Sequence, residues 1–202
     1  MKILLTGSSS GVGKELLNIL SANHDVDAPN RVQLDVGSPA AICHFVKVPY
    51  DMLINCAGTA IGGKIDFINH KTDDAVEILN VNLVGTILLT QQVIKLNPTC
   101  KVVTITSTNN NRYWPNDLIY SLSKKSLSDF ISMLYVEYPG IQQLEVQLGF
   151  TKTKFNENRY KNCMNRFQDI YNQAPVLLPA VVAKKISDVI FDNTVKFIEV
   201  SP

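Results

Sequence analysis

Short runs of consecutive apolar residues alternate along this chain with stretches in which apolar positions recur every three or four residues. Lys2–Leu5 reads as a buried strand, and Val12, Leu16, Ile19 and Leu20 then fall at helical spacing. Residues 24–28 are a short second strand, ended by Pro29, and residues 32–34 are a third apolar run. Ser38 and Pro39 open a helix that runs to about Lys47, with serine at the cap and proline in the first turn. Residues 51–55 form the next strand. Thr72, Asp73 and Asp74 begin a long helix, because acidic side chains suit the positive helix end, and Asn97-Pro98 closes it after Leu96. A strand at 101–106, a helix at 118–138 stopped by Pro139-Gly140, a strand at 144–148, a helix at 179–191 and a strand at 196–200 complete the series.

Strand–helix alternation implies a parallel sheet covered on both faces, and the right-handed crossover rule makes it a doubly wound α/β fold. Six or seven strands are expected, with helices on both faces. Only Asn30 and Arg31 separate Pro29 from Val32, so the helix between the second and third strands is expected to be missing. Residues 61–71 read as a Gly-containing loop and 152–175 as a polar segment. The expected organisation is one domain over residues 1–202, with a core over 1–150 and a substrate lid over 151–178.

Apolar residues make up 46% of the chain and charged residues 18%, the balance of a globular protein. A net charge of +1 gives no reason to expect nucleic acid as a partner. The spacings of Cys43, Cys56, Cys100 and Cys163 match no metal or redox motif, so no metal is expected and the thiols read as reduced, in the cytoplasm. The apolar run at 176–183 is broken by Pro179, so membrane insertion is not expected.

Two separate features carry chemistry. Gly7, Gly11 and Gly13 join the first strand to the first helix. Positions without Cβ permit a tight turn there and let the backbone approach a pyrophosphate at the positive helix end. Much later, Ser107 ends a strand, and Tyr120 and Lys124 lie one helical turn apart on a single face. Free tyrosine titrates at about 10, and a neighbouring ammonium favours its phenolate. Such a pair suits proton transfer to or from a carbonyl or alcohol oxygen. Cys56 reads as a packing residue, and Lys152 and Lys154 as a solvated edge, with contact to a cofactor phosphate as the alternative for either lysine.

These residues together resemble the short-chain dehydrogenase/reductase superfamily. T-G-S-S-S-G-V-G from Thr6 to Gly13 is similar to its T-G-x-x-x-G-x-G turn, and Asn55-Cys56-Ala57-Gly58 to its N-N-A-G segment. Leu34-Asp35-Val36 resembles its acidic adenine-contacting segment, and Asn82 its helix asparagine. Ser107, Tyr120 and Lys124 match its serine and Y-x-x-x-K, and residues 148–153 resemble P-G-x-x-x-T with leucine replacing proline. The resemblance implies an NAD(P)-dependent oxidoreductase moving a hydride between nicotinamide and a small carbonyl or alcohol substrate. It implies Ser107, Tyr120, Lys124 and Asn82 as catalytic residues, with Asn82 ordering a water relay. It implies cofactor contacts from Gly7, Ser9, Ser10, Gly11, Val12, Gly13, Asp27, Asp35, Val36, Asn55, Ala57, Gly58, Tyr120, Lys124, Thr151 and Thr153. Thr108, Tyr113, Trp114 and Phe150 are candidate substrate contacts. An acid at Asp27 favours NAD and Arg31 favours NADP; Asp27 also reads as a plain turn residue before Pro29, and NAD is the expected choice. The resemblance further implies a homodimer or homotetramer pairing through the two long helices. A non-catalytic, redox-sensing regulator on the same fold is the alternative, which the presence of both Tyr120 and Lys124 disfavours.

Overall fold

Lys2–Leu5 (β1), Asp25–Asp27 (β2), Met52–Asn55 (β3), Lys101–Ser107 (β4), Gln143–Leu148 (β5) and Phe197–Val200 (β6) form one parallel sheet in the order β2-β1-β3-β4-β5-β6. These positions come from a computed structural model that describes residues 1–112, 114–161, 164, 165, 168, 172 and 176–201. The described helices are Gly11–Leu20 (α1), Pro39–Phe45 (α2), Thr72–Leu96 (α3), Leu118–Glu137 (α4), Lys154–Arg159 (α5) and Pro179–Ser187 (α6).

Strand alternation divides the core in two. Ile3, Leu5, Met52 and Ile54 face α1 and α6, meeting Leu16, Leu20, Val182 and Ile186. Leu4 and Leu53 face the other way, against Ile42 of α2 and Val81, Leu89 and Val93 of α3. The apolar runs are continuous because both faces are covered. Each fully buried side chain of this kind contributes about 1.5–3 kcal/mol. Helix α3 is long and apolar enough, by length and composition, to cross a membrane; 44% of its apolar window is buried inside the fold.

Residues 32–34 do not form a strand. The side-chain oxygen of Asn30 accepts from the N–H groups of Val32 and Gln33, at 2.9 and 3.1 Å, and its carbonyl accepts from Leu34. This local turn takes the backbone groups a strand would need, leaving Val32 96% exposed while Leu34 enters the core. The connection from β2 to α2 therefore lacks both a helix and a pairing strand, and β2 ends the sheet. Helix α2 begins as expected: Ser38 Oγ accepts from the Ala41 N–H at 3.3 Å, with Pro39 in the first turn.

Helix α3 contains one wide, π-helical turn over Asn80–Val84. Such turns are rare and often mark functional sites. Here it brings Asn82, which has no exposed surface, against the loop after β3. Gly85 follows because the Val36 carbonyl lies where a Cβ would stand.

Candidate active site

The loops leaving the carboxyl ends of β1, β3, β4 and β5 surround a cleft of about 1150 Å³. The chain runs outward from β1 to β2, then returns on the other side of β1 as β3; open α/β sheets take their ligands at that switch. Gly7 and Gly11 hold φ of 73° and 57°. A Cβ on Gly7 would stand 2.7 Å from the Ala57 nitrogen, and one on Gly13 would run into the Gly7 carbonyl, whose carbon is 2.8 Å away. Thr6 Oγ1 fixes this contact by accepting from the Cys56 and Ala57 N–H groups, both at 3.2 Å. Ser10 forms no side-chain capping bond, so the first-turn N–H groups of α1 stand uncapped by a side chain at the cleft wall. A positive helix end reached over bare glycines fits the diphosphate of a dinucleotide. Asn156 adds a second sign of fit: its Nδ2 donates to the Thr151 carbonyl at 2.7 Å, while its buried Oδ1 has no partner among the described residues. That acceptor, beside Thr151 and Thr153, suits an amide donor such as the nicotinamide carboxamide.

Ser107, Tyr120 and Lys124 come together on the cleft wall, and all three are buried. Their electrostatics differ from the expectation. Burial raises the Tyr120 phenol above its ordinary value; Arg159 opposes this, Asp117 adds to it and the Ser107 hydrogen bond opposes it. The cation at the tyrosine is Arg159, whose guanidinium carbon lies 4.2 Å from the ring centroid. Lys124 instead donates to the Ile105 carbonyl at 3.0 Å, beside Gly58 and Cys56. Burial pushes its ammonium down to about 8, an effect Cys56 opposes and Arg159 reinforces. Burial likewise lifts the Cys56 thiol to about 11, which keeps it protonated and consistent with packing.

Lys124 has a consequence for stability. An unfolded lysine titrates near 10.4, so the folded chain releases this proton first as pH rises. Its stabilising contribution is therefore fully present above about pH 10.4 and is lost as pH falls through about 8. Wild type should gain stability relative to Lys124→Met between about pH 7 and pH 10.5, by on the order of 2 kcal/mol. Urea unfolding of both chains at the two pH values measures this, and a constant difference would contradict it.

Asn82 does not border the cleft. Its Oδ1 accepts from the Thr59 N–H at 2.7 Å, and its Nδ2 donates to the Thr59 carbonyl at 2.9 Å and to Ser123 Oγ at 3.1 Å. With both amide ends engaged, the side chain clamps the loop after β3 to α4. Four expected cofactor contacts also lie off the main cleft wall. Asp27 accepts from the Tyr50 hydroxyl at 2.8 Å and pairs with Lys2 at 3.7 Å. Asp35 accepts from the Gly37 N–H at 3.0 Å and pairs with Arg31 at 3.9 Å, in a side depression of about 240 Å³ that shares Arg31 and Glu77 with the cleft. Val36 belongs to the core, and Asn55 donates to Thr90 Oγ1 at 3.1 Å.

Gly7, Ser9, Ser10, Gly11, Val12, Gly13, Ala57, Gly58, Thr151 and Thr153 do line the cleft, as do Thr108, Trp114 and Phe150. Tyr113 lies outside the described residues. Within the expected lid over 151–178, Thr151, Thr153 and residues 154–156 and 158–161 line the cleft; residues 162, 163, 166, 167, 169–171 and 173–175 lie outside the described residues.

A sequence profile of the short chain dehydrogenase family matches residues 23–163. The chain belongs to the short-chain dehydrogenase family. It is an oxidoreductase of hydroxyl and carbonyl groups with a nicotinamide dinucleotide as cofactor. The NADP-dependent 3-hydroxy acid dehydrogenase of Schizosaccharomyces pombe is 24% identical over 220 residues, covering 91% of this chain and 84% of that protein. The closed form of serine dehydrogenase complexed with NADP+ superposes with a TM-score of 0.87 at 22% identity, covering 100% of this chain and 95% of the other. A 4-hydroxyisoleucine dehydrogenase complexed with NADH gives 0.85 at 22% identity, covering 99% and 96%.

This short-chain dehydrogenase surrounds its tyrosine with residues that the motifs did not single out. Arg159 donates through Nε to Asp117 Oδ1 at 3.2 Å and through Nη2 to Oδ2. Asp117 also accepts from Asn109 Nδ2 at 2.7 Å and lies 3.6 Å from the Lys64 ammonium. Phe155 packs on the Tyr120 ring, centroids 5.8 Å apart. Asp117 precedes Tyr120 by three residues, one turn away at the start of α4, which was the readable signal. Arg159 sits in a polar stretch without periodicity, and only the tertiary fold brings it to the tyrosine.

Proposed function

We propose that this chain interconverts a small alcohol and its carbonyl partner, with Tyr120 giving or taking the proton and NADP as the favoured cofactor. The observation that carries this reading is a buried tyrosine hydroxyl sharing the cleft wall with Ser107 and Lys124, across from an uncapped helix end behind bare glycines. When bound, the nicotinamide supplies or accepts the hydride. Ser107 holds the substrate oxygen, and Lys124 holds the ribose hydroxyls beside Gly58. Gly7, Gly11, Gly13 and the first turn of α1 hold the diphosphate, and Asn156 with Thr151 and Thr153 orients the carboxamide. Asn82 acts as a positioning residue through the loop after β3.

Asp27 lies off the cleft wall and its Oδ2 is taken by Tyr50 and Lys2, which weakens the basis for preferring NAD. Arg31 lines the cleft and pairs with Glu77 at 3.2 Å on an exposed surface, where it can meet a 2′-phosphate. NADPH should bind more tightly than NADH, and Arg31→Ser should weaken NADPH about tenfold while leaving NADH nearly unchanged. Cofactor fluorescence titration measures both, and equal losses for the two cofactors would reject this role for Arg31.

The substrates named for the relatives above are hydroxylated acids, so hydroxy acids and their oxo counterparts head the panel for turnover assays. Tight cofactor binding with no turnover across alcohols, aldehydes, ketones and acids would favour the regulator reading instead. We further place the chain in the cytoplasm as a homodimer pairing through α3 and α4. Val84 on α3, with Leu122, Met133 and Val136 on α4, expose apolar surface there, whereas Leu127 and Ile131 pack inside the protomer.

A further inference from the structure

We infer, on the oxidoreductase reading above, that Arg159 is a carboxylate-docking residue held in place by Asp117, which makes the substrate a small hydroxy acid or oxo acid. The guanidinium is buried, lines the cleft and stacks on the face of the Tyr120 ring at 4.2 Å. Asp117 takes one edge of it, through Nε and Nη2. Nη1 has no acceptor among the described residues, so the end-on edge formed by Nη1 and the second Nη2 hydrogen remains for a ligand. Two parallel N–H donors on a rigid plane match a carboxylate.

The charge of the wall agrees. Among the described residues its basic side chains are Arg31, Arg112, Lys124, Lys154, Arg159 and Lys161, and its acidic one is Glu77, which pairs with Arg31 away from the tyrosine. Two of the cations, Arg31 and Lys124, are placed for the cofactor. Arg159 stands at the reacting end. Stability alone does not account for the pair, because a buried Arg–Asp pair is often no better than apolar packing of similar volume. Asp117 serves by fixing the guanidinium plane and leaving its outer edge accessible.

The test compares 3-hydroxybutanoate with its methyl ester on the NADP-loaded chain, by calorimetric binding and by kcat/KM. Wild type should favour the acid at least tenfold in binding. Arg159→Met should erase that acid-to-ester preference, lowering kcat/KM on the acid about 100-fold relative to the ester. The ratio cancels any effect on Tyr120 common to both compounds. If Arg159→Met does not fold because Asp117 is left unpaired, the double variant Asp117→Asn with Arg159→Met removes both charges and serves the same comparison. Equal binding of acid and ester by wild type, or an unchanged preference in the variants, overturns the assignment. Selective acid binding through Arg159 with no turnover of either compound would uphold the subsite and remove 3-hydroxybutanoate as a substrate. Turnover without acid preference would do the reverse.

Discussion

Tyr120→Phe should lower kcat about 10³-fold while leaving cofactor affinity within about threefold of wild type. The substitution removes one oxygen and little else. The ring keeps its contacts with Phe155 and the Arg159 guanidinium, and its surroundings are already well packed. What disappears is the group proposed to exchange a proton with the substrate oxygen. Water is a poor substitute, because Tyr120 is only 7% exposed. Steady-state kinetics with the best substrate from the panel, paired with a cofactor fluorescence titration, measure both quantities. A variant retaining more than about a tenth of wild-type turnover would show that the proton takes another route. A large loss of cofactor affinity would show instead that the hydroxyl serves binding.

Gly13→Ala should abolish measurable cofactor binding and cost about 1–3 kcal/mol of stability. The new methyl would run into the Gly7 carbonyl, backbone against backbone, where no side chain can yield. Gly7 has little room to retreat, since the Ala57 and Cys56 backbone already fills the space where a Cβ of its own would stand. The turn must open, carrying the first N–H groups of α1 away from their common focus. A loss of at least 100-fold in NADPH affinity is expected, since charge-assisted hydrogen bonds to the diphosphate act together. Gly140→Ala is the control: no atom lies within 4 Å of the added methyl, so affinity should stay at wild type. Urea unfolding and fluorescence titration of the two variants make the comparison, and normal NADPH binding by Gly13→Ala would remove the diphosphate from this turn.

Most of the sheet was readable because a parallel strand buried on both faces must be apolar throughout, as Ile3 to Leu5 and Met52 to Ile54 are. Residues 32–34 passed the same test and failed in the fold. Three apolar residues are too few to outweigh a turn in which Asn30 bonds the backbone groups of Val32 and Gln33. The glycine turn and the Ser107, Tyr120 and Lys124 set were readable as one site because spacing along strand ends and a helix face brings them to a common cleft wall. The role of the lysine was not. Spacing places Lys124 one turn from Tyr120, but the depth of burial and the carbonyl of Ile105 decide where its ammonium rests. Arg159 reaches the tyrosine across 39 residues of chain, through a salt bridge between α5 and the residue that precedes α4, and no local pattern encodes that distance.

The trimmed connection after β2 leaves that strand as the sheet's outer margin, and its brevity matters beyond the cofactor. A bare strand edge invites another chain to extend the sheet, which is how soluble proteins begin to aggregate. Here the margin offers three residues, Asp25, Val26 and Asp27. A visiting strand would find only that short stretch to pair with, flanked by two carboxylates. Losing a helix and a strand on this side thus carries its own safeguard against edge-to-edge pairing of sheets.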